Sequence, residues 1–114
     1  MADCLFCRLA AGEVPAQLLY QDERTLAFQD INPQAPLHAL VIPRRHIGGV
    51  AELAAADAEL AGHLLWVARE VARAQGVAED GYRVVINSGR HGQQTVPHLH
   101  VHVLGGRQLN WPPG

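Results

Sequence analysis

The order of the predicted elements favours an α+β fold for this 114-residue chain. Short strand patterns come first, one long helical pattern follows, and strand patterns return near the C-terminus, without the regular βαβ alternation of parallel folds. No repeat, low-complexity tract or long linker interrupts this order. Because the length suits one domain and is short for two, we expect residues 1–114 to form a single domain.

The first third of the chain predicts a short helix and three strands. Residues 3–11 form the helical pattern, and residues 18–21 and 25–29 form two short strands separated by a tight turn. An Asn-Pro and an Ala-Pro dipeptide then mark a loop. Residues 38–42 are expected to form a buried strand, which ends at Pro43.

The clearest helical pattern covers residues 57–75. Its predicted apolar face consists of Leu60, Leu64, Val67, Val71 and Ala74. Gly76 suits the left-handed position that follows a helix C-terminus. We expect His63 to be a surface residue of this helix and Trp66 to be a core or interface aromatic.

The most informative pattern follows a predicted strand at 82–86 and a Gly- and Gln-containing loop at 87–96. The last predicted strand, residues 98–104, carries three histidines at alternate positions: His98, His100 and His102. Alternation puts them on one face of the strand, about 6.5 to 7 Å apart, with aliphatic residues facing the core. Histidine serves as base, nucleophile, acid or metal ligand near neutral pH, so this face predicts chemistry on one polyanionic ligand or one reacting phosphorus.

Composition excludes several classes of protein. The net charge of −2 with neutral histidines provides no basic field for a nucleic acid, and the short Arg44-Arg45-His46 cluster suits a solvated turn. No apolar run approaches the roughly 20 residues of a membrane span, and the N-terminus lacks the features of a secretory signal. We therefore expect a cytoplasmic protein that binds neither membrane nor nucleic acid.

Several motifs, in order, resemble the histidine-triad (HIT) family. His98-x-His100-x-His102 followed by Val103-Leu104 is similar to the family signature, in which histidines alternate with hydrophobic residues. Residues 30–38 resemble the nucleoside-binding segment of the family, and residues 41–46 resemble its next strand and turn. Residues 104–114, which end in Trp-Pro-Pro-Gly, resemble the C-terminus of the Hint branch.

This resemblance implies a fold and an activity. The implied fold is a HIT-like antiparallel sheet of about five strands with one long and one short helix, assembled as a homodimer. The expected activity is hydrolysis of purine nucleoside 5′-phosphoramidates, such as adenosine 5′-phosphoramidate, through a covalent nucleotidyl-histidine intermediate and without a catalytic cofactor. By motif position His100 is the nucleophile, His102 and His38 lie near the phosphate, and His98 orients the site.

The resemblance also implies a nucleotide-binding set. Asp30 would bind the ribose hydroxyls, Ile31 would pack on the purine, and Thr95 would approach the leaving group. The tail residue Trp111 would lie at the dimer interface near the site of the partner. The full predicted set is Asp30, Ile31, Asn87, Gln94, Thr95, Val96, His100, His102 and Trp111.

Cys4 and Cys7 form a C-x-x-C motif that is consistent with a redox pair, half of a zinc site, or two buried small residues. Some bacterial proteins that this chain resembles bind zinc with such cysteines and two histidines, which here would be His46 and His98. Four protein ligands leave no open position, so this zinc would be structural. His98 would then act on the reaction only by its position beside His100.

Three alternatives to the phosphoramidase remain open. A dinucleoside polyphosphate hydrolase of the Fhit type uses the same triad, although the short loop and the Hint-like tail argue against it. A non-catalytic nucleotide-sensing or adaptor dimer has no need of a central nucleophile such as His100. Metal storage would use the seven histidines, but they are dispersed along the chain.

Overall fold

The computed structural model describes residues 4–114, so the first residue of the predicted helix at 3–11 lies outside the described part of the chain. The elements are α1 Leu5–Ala10, β1 Leu18–Gln21, β2 Thr25–Gln29, β3 Leu37–Pro43, α2 Ala58–Ala74, β4 Tyr82–Val85 and β5 Val101–Gly105, with single 3-10 turns at Val50–Glu52 and Ala55–Asp57 before α2. Among residues 4–114, no helix combines the length and the apolar character needed to cross a membrane.

The five strands form one antiparallel sheet in the order β1-β2-β3-β5-β4. This confirms the predicted α+β class, the antiparallel pairing and the combination of one long with one short helix. The central pair β3 and β5 aligns Leu40 with His102 and His38 with Leu104. This register places histidines from two distant segments of the chain on the same face of the sheet, near its centre.

The long helix α2 covers one face of the sheet. Its buried side chains Leu64, Val67 and Val71 pack with the inward-facing aliphatic residues of β3 and β5 into the larger core cluster. Each such side chain contributes about 1.5 to 3 kcal/mol by leaving water. Gly76 takes the predicted left-handed conformation after the helix, at φ 79°. Ala74, which we placed on the apolar face, is exposed because it lies in the last turn, beyond the edge of the core.

The short helix α1 covers part of the opposite face. Cys4 begins this helix as its N-cap, and its Sγ accepts a hydrogen bond from the Cys7 backbone N–H at 3.2 Å. Phe6 is the buried residue of α1, and it packs on a second cluster formed by Leu26, Phe28, Leu40 and Ile42. The histidines lie on this face, beside Phe6.

The last strand begins at Val101, three residues later than predicted. Before it, the chain bends: the Leu99 N–H donates to the Ile47 carbonyl at 2.6 Å, and the His98 ring bonds to the Pro43 carbonyl. These contacts lie at and just after the end of β3, beyond the last pair of its register with β5, Val41 and Val101. The alternation of faces persists through the bend, but the His100 and His102 ring centroids are 5.0 Å apart, closer than the predicted spacing.

Asp22, in the turn between β1 and β2, connects that hairpin to α2. Its carboxylate accepts from the Thr25 N–H and hydroxyl at 2.8 and 2.7 Å and from Tyr20 at 2.9 Å, and it lies 2.7 Å from His63 Nε2. Burial works against ionisation, but these hydrogen bonds, from Thr25 first, hold the pKa of Asp22 well below its usual range. His63 is therefore half-buried and bonded, not the surface residue that we predicted.

Arg44 also differs from its prediction as part of a solvated turn. The guanidinium donates to the Asp22 carbonyl at 2.8 Å, to the Ala10 carbonyl at 3.1 Å and to Gln21 Oε1 at 3.2 Å. It thus joins the end of α1 to the first hairpin, which is a structural role.

Candidate active site and metal centre

A cavity of about 370 Å³ opens on the histidine face, between α1 and the ends of β2 and β5. Such a volume suits a small-molecule ligand. Its wall is mainly apolar, with a carboxylate and two imidazoles at one end. The lining residues are Leu5, Phe6, Leu9, Pro15, Ala16, Gln17, Phe28, Gln29, Asp30, Ile31, Leu40, Thr95, Val96, His100 and His102.

His100 is held in one tautomer. Its Nδ1 lies 2.7 Å from the His98 carbonyl oxygen, and because a carbonyl only accepts, Nδ1 must carry the proton. In the neutral ring this leaves the Nε2 lone pair free. The side chain is buried, and its ring makes a T-shaped contact with the Phe6 ring, with centroids 5.3 Å apart. The structure therefore presents a buried, oriented imidazole at the cavity wall, which is what a nucleophile requires.

A chain of hydrogen bonds also determines the tautomers of His38 and His102. The Gln34 backbone N–H donates to His38 Nδ1 at 3.0 Å, so the proton of neutral His38 sits on Nε2. That Nε2–H donates to His102 Nδ1 at 2.9 Å. His102 must then carry its own proton on Nε2 as a donor. Asp30 Oδ2 lies 3.5 Å from His38 Nε2, beside this relay.

Burial keeps both imidazoles of the relay neutral near pH 7. It lowers the pKa of His102 to about 4, with further lowering from the neighbouring His100 and His38. It also lowers the pKa of His38, against the opposing charge of Asp30. The neutral state agrees with the tautomers that the hydrogen bonds require, and it makes His102 a neutral donor at rest.

Asp30 and Ile31 stand at the mouth of the cavity. One oxygen of Asp30 accepts the Asn32 N–H at 2.9 Å, as a turn aspartate does, which leaves its other oxygen close to the histidine relay. Ile31 is 99% exposed, although it lines the cavity. An isoleucine presented to solvent beside an apolar cavity is available to pack on a ligand.

The loop between β4 and the histidines contributes Thr95 and Val96 to the cavity wall. The other predicted members of the binding set lie elsewhere in the described chain. The Gln94 side chain bonds to the Gly48 and Val96 carbonyls and lies outside the cavity lining. Asn87 is half-buried outside the cavity lining. Trp111 is 80% exposed, with the Arg83 guanidinium 5.9 Å from its ring.

Four residues with metal-binding side chains converge beside the triad: Cys4, Cys7, His46 and His98. Cys4 Sγ and Cys7 Sγ lie 3.2 and 3.5 Å from His98 Nδ1, and Cys7 Sγ lies 3.2 Å from His46 Nδ1. Tetrahedral zinc with ordinary Zn–S and Zn–N distances separates sulfur from nitrogen by about 3.6 Å. The geometry of the four ligands therefore fits a structural zinc ion.

The hydrogen bonding of His98 supports the same conclusion. Its Nε2 lies 2.9 Å from the Pro43 carbonyl and must donate, so its Nδ1 lone pair points at the cysteines. This is the usual arrangement of a metal-bound histidine, whose second nitrogen is held by an acceptor. Burial first, and then the neighbouring Cys4, raises the pKa of Cys7 to about 11, so zinc binding would displace thiol protons.

Asp30, His38 and His102 form a second group close enough to surround a metal. Its hydrogen bonds do not suit one, because His38 Nδ1 accepts from Gln34 and its Nε2 must carry a proton. The group is better described as a proton relay. Sequence reasoning missed the Gln34 contribution, since a backbone N–H leaves no mark in the pattern of side chains.

Comparisons with known proteins assign the chain to a family. A family model described as the HIT domain matches residues 11–109. A 14 kDa zinc-binding protein of Zea mays is 53% identical over 112 residues, which cover 96% of this chain and 87% of the maize protein. The chain therefore belongs to the HIT domain family.

Solved structures agree in fold. A HIT family hydrolase from Legionella pneumophila has a TM-score of 0.96 and 48% identity, covering 98% of this chain and 100% of that one. A zinc-bound histidine triad family protein from Mycobacterium smegmatis has a TM-score of 0.79 and 31% identity, covering 93% and 76%. The fold is that of these HIT family proteins, and two of the similar proteins are described as zinc-binding or zinc-bound.

Proposed function

We propose that this chain is a Hint-branch enzyme that hydrolyses purine nucleoside 5′-phosphoramidates to the nucleoside monophosphate. The observation that carries the proposal is the orientation of His100: Nδ1 donates to the His98 carbonyl, and the free Nε2 belongs to a ring in the cavity wall. A neutral imidazole with one nitrogen held and the other free is a competent nucleophile toward phosphorus. HIT proteins are nucleotide-binding proteins, which suits the size and lining of the cavity.

In the first step, His100 Nε2 attacks phosphorus. A bond forms between Nε2 and phosphorus while the bond from phosphorus to the leaving nitrogen breaks, and the leaving amine takes a proton from solvent. The Nε2–H of His102 supports a non-bridging phosphate oxygen as charge redistributes. Neutral His102 has one proton, on Nε2, because its Nδ1 accepts from His38, so that proton stays in the hydrogen bond to the phosphate oxygen.

In the second step, water attacks the nucleotidyl group. The bond between His100 Nε2 and phosphorus breaks, the water oxygen becomes a phosphate oxygen, and the water proton passes to solvent. His38 and Asp30 hold His102 in the required tautomer throughout. The nucleoside monophosphate then leaves and His100 is neutral again.

The nucleoside would occupy the apolar part of the cavity. Asp30 accepts from the ribose hydroxyls, Ile31 packs on the purine, and the Thr95 hydroxyl approaches the leaving group. Asn87, which lies outside the cavity lining, would contact the ribose or the phosphate from beyond it. The apolar lining around Phe28 and Leu40 favours a flat base over a second charged group.

Cys4, Cys7, His46 and His98 would hold a structural zinc ion, as the maize and mycobacterial relatives suggest. When bound, the ion would attach α1 rigidly to the histidine segment, and with four protein ligands it would take no part in the phosphorus chemistry. His98 then acts through its carbonyl, which orients His100. Because thiol ligands persist in reducing compartments, the proposal includes a cytoplasmic location.

A homodimer completes the proposal. β4 is an edge strand of the sheet, and Val84 and Ile86 expose apolar side chains there, as Trp66 does on α2. Paired copies would cover this surface. Trp111 lies outside the cavity of its own chain, so in a dimer it can approach the cavity of the other copy. Mass measurement in solution tests the pairing.

The decisive experiment is hydrolysis of adenosine 5′-phosphoramidate by the wild type and by His100→Ala, with intact mass spectrometry of the protein. We expect AMP and a transient adenylylated chain from the wild type, and a loss of more than about 10³-fold in kcat from His100→Ala. His91→Ala is the matched control, because His91 is exposed in the loop, and its activity should equal that of the wild type.

The other outcomes separate the alternatives. Turnover of a diadenosine polyphosphate without turnover of the phosphoramidate would identify a dinucleoside polyphosphate hydrolase. AMP binding without either activity would identify a nucleotide-sensing dimer. Equal activity of His100→Ala and the wild type would remove His100 as the nucleophile.

A further inference from the structure

The loop at residues 89–96 is held in an unusual shape. Gln93 is left-handed, with φ 63°, which is uncommon for a residue other than glycine. A β-carbon at Gly92 would lie 2.5 Å from the Ser88 carbonyl oxygen, so the backbone doubles closely on itself. Thr95 and Val96, at the end of this loop, line the cavity beside His100. A conformation of this kind persists only where the surroundings enforce it.

The Gln94 side chain holds the loop in this conformation through three hydrogen bonds. Its Oε1 accepts from the Gly89 N–H at 3.1 Å, at the start of the loop. Its Nε2 donates to the Val96 carbonyl at 3.0 Å, at the end of the loop, and to the Gly48 carbonyl at 2.7 Å. Both amide protons are used, and the three bonds connect both ends of the loop to a separate turn.

That turn is shaped to receive the Gln94 amide. A β-carbon at Gly49 would lie 3.0 Å from both Nε2 and Oε1 of Gln94, closer than ordinary van der Waals contact. Gly49 has an extended backbone, with φ 172°, which any residue can adopt. The absence of a side chain at residue 49 therefore makes room for the amide and relieves no backbone strain.

The same turn contacts the two other parts of the site. His46, at its start, belongs to the cysteine–histidine cluster. The Ile47 carbonyl accepts the Leu99 N–H between two triad histidines. Through Gly48 and Gln94 the turn reaches the loop at the cavity. One short segment thus sets the relative position of the metal cluster, the histidines and the loop.

We infer that Gln94 is a positioning residue that holds Thr95 and Val96 against the reacting phosphate, and that it contacts no ligand through its own side chain. The inference rests on the proposed function for its reaction and refines the role of this loop. Because Gln94 is bonded to Gly48, disorder in the turn that carries His46 would also disturb the loop.

The test compares Gln94→Ala and Gln94→Glu with the wild type in phosphoramidate hydrolysis. Ala removes all three bonds, whereas Glu keeps an acceptor for Gly89 and loses both donors, with a carboxylate oxygen left facing the Gly48 and Val96 carbonyls. We expect kcat to fall at least tenfold in each, with a smaller change in KM, because misplacing reacting groups by about 1 Å can cost about 10²-fold. Gln75→Ala, on the exposed residue that ends α2, is the control and should match the wild type.

Substitutions at two neighbouring glycines give an independent test. Gly49→Ala introduces a methyl group against the Gln94 amide and should lower kcat in the same direction. Gly48→Ala places its methyl group 3.4 Å from the flexible Glu52 side chain, so its effect should be smaller. Melting temperatures accompany each variant. A Gln94→Ala protein that melts earlier but keeps the wild-type kcat and KM would overturn the inference.

Amide hydrogen exchange tests the inference independently of the proposed function. In Gln94→Ala, we expect faster exchange across residues 89–96 and unchanged exchange in α2. If the wild type does not hydrolyse the phosphoramidate, the proposed function fails, but this comparison still decides whether Gln94 orders the loop. Unchanged exchange in residues 89–96 would overturn the inference even if the enzyme is active.

Discussion

The two faces of the β-sheet are stabilised by different interactions. On the α2 face, Leu64, Val67 and Val101 are buried among other aliphatic residues and make non-directional contacts. On the α1 face, His38, His98 and His100 are equally buried, but each imidazole has a specific hydrogen-bond partner. Within the described residues, no buried side-chain nitrogen or oxygen lacks a partner.

The α2 face therefore contributes mainly to stability, and the α1 face contributes mainly to the chemistry. Removing a methyl group from the α2 face leaves a cavity but does not change the tautomer of any histidine. A single hydrogen bond changed on the α1 face can move a proton from one imidazole nitrogen to the other. We therefore expect substitutions on the α2 face to lower stability with little effect on activity, and substitutions on the α1 face to change activity, metal content or pH response.

The largest effect on stability should come from removing zinc on the α1 face. Zinc binds the folded cluster of Cys4, Cys7, His46 and His98, so saturating metal at about 1,000 times its dissociation constant stabilises the fold by about 4 kcal/mol. Chelation should therefore lower the melting temperature of the wild type markedly. Cys7→Ser should melt at the lower temperature with or without chelator.

Metal analysis of protein purified without chelator accompanies this measurement. One zinc per chain is the expected content for the wild type. Zinc well below one per chain, together with a melting temperature that chelator leaves unchanged, would contradict the assignment of the cluster as a structural zinc site.

An intermediate effect should come from Leu64→Ala on the α2 face. Leu64 is 2% exposed, and its truncation leaves a cavity that should cost about 3 kcal/mol in the free energy of unfolding. Turnover per folded molecule should stay within about twofold of the wild type, since Leu64 packs in a core cluster that shares no residue with the cavity lining. Urea unfolding and kcat on the same samples measure both quantities.

Leu18→Ala is the control, because Leu18 is exposed on β1 and should lose little stability. A large loss of kcat in Leu64→Ala at a temperature where the protein remains folded would break the separation between the two faces.

The sequence predicted the two faces unequally well, for physical reasons. The strands β1 and β2 have the predicted bounds because the turn at Asp22 is determined by local hydrogen bonds. The helix α2 begins and ends within one residue of the prediction, because its apolar period and Gly76 are both local signals. Elements whose cause lies within a few residues were therefore predictable.

The α1 face was predicted by residue type but not by partner. Spacing grouped the three histidines correctly on one side, but it did not reveal that His98 lies in a bend against Pro43. It also did not reveal that the Gln94 side chain binds the backbone of Gly48. These partners are carbonyl and amide groups far away in the chain, which have no sequence signature.

The smallest predicted effect is the pH dependence of stability on the α1 face. Burial, and then the nearby His100 and His38, lower the pKa of His102 in the folded chain to about 4, below the ordinary value of 6.5. The unfolded chain therefore takes up the proton first as the pH falls. The contribution of neutral His102 is complete above pH 6.5 and is lost progressively between pH 6.5 and 4, and it amounts to roughly 2 kcal/mol after allowing for partial exposure.

Urea unfolding from pH 7.5 to 4 should show a steeper decline for the wild type than for His102→Gln, which cannot take up this proton. His91→Gln, at an exposed loop position, should follow the wild-type curve and so controls for the loss of any histidine. Because acid releases zinc from both proteins alike, the difference between the two curves isolates His102. Parallel curves would mean that His102 titrates equally in the folded and unfolded chains, and they would remove the physical basis for treating it as a neutral donor at rest.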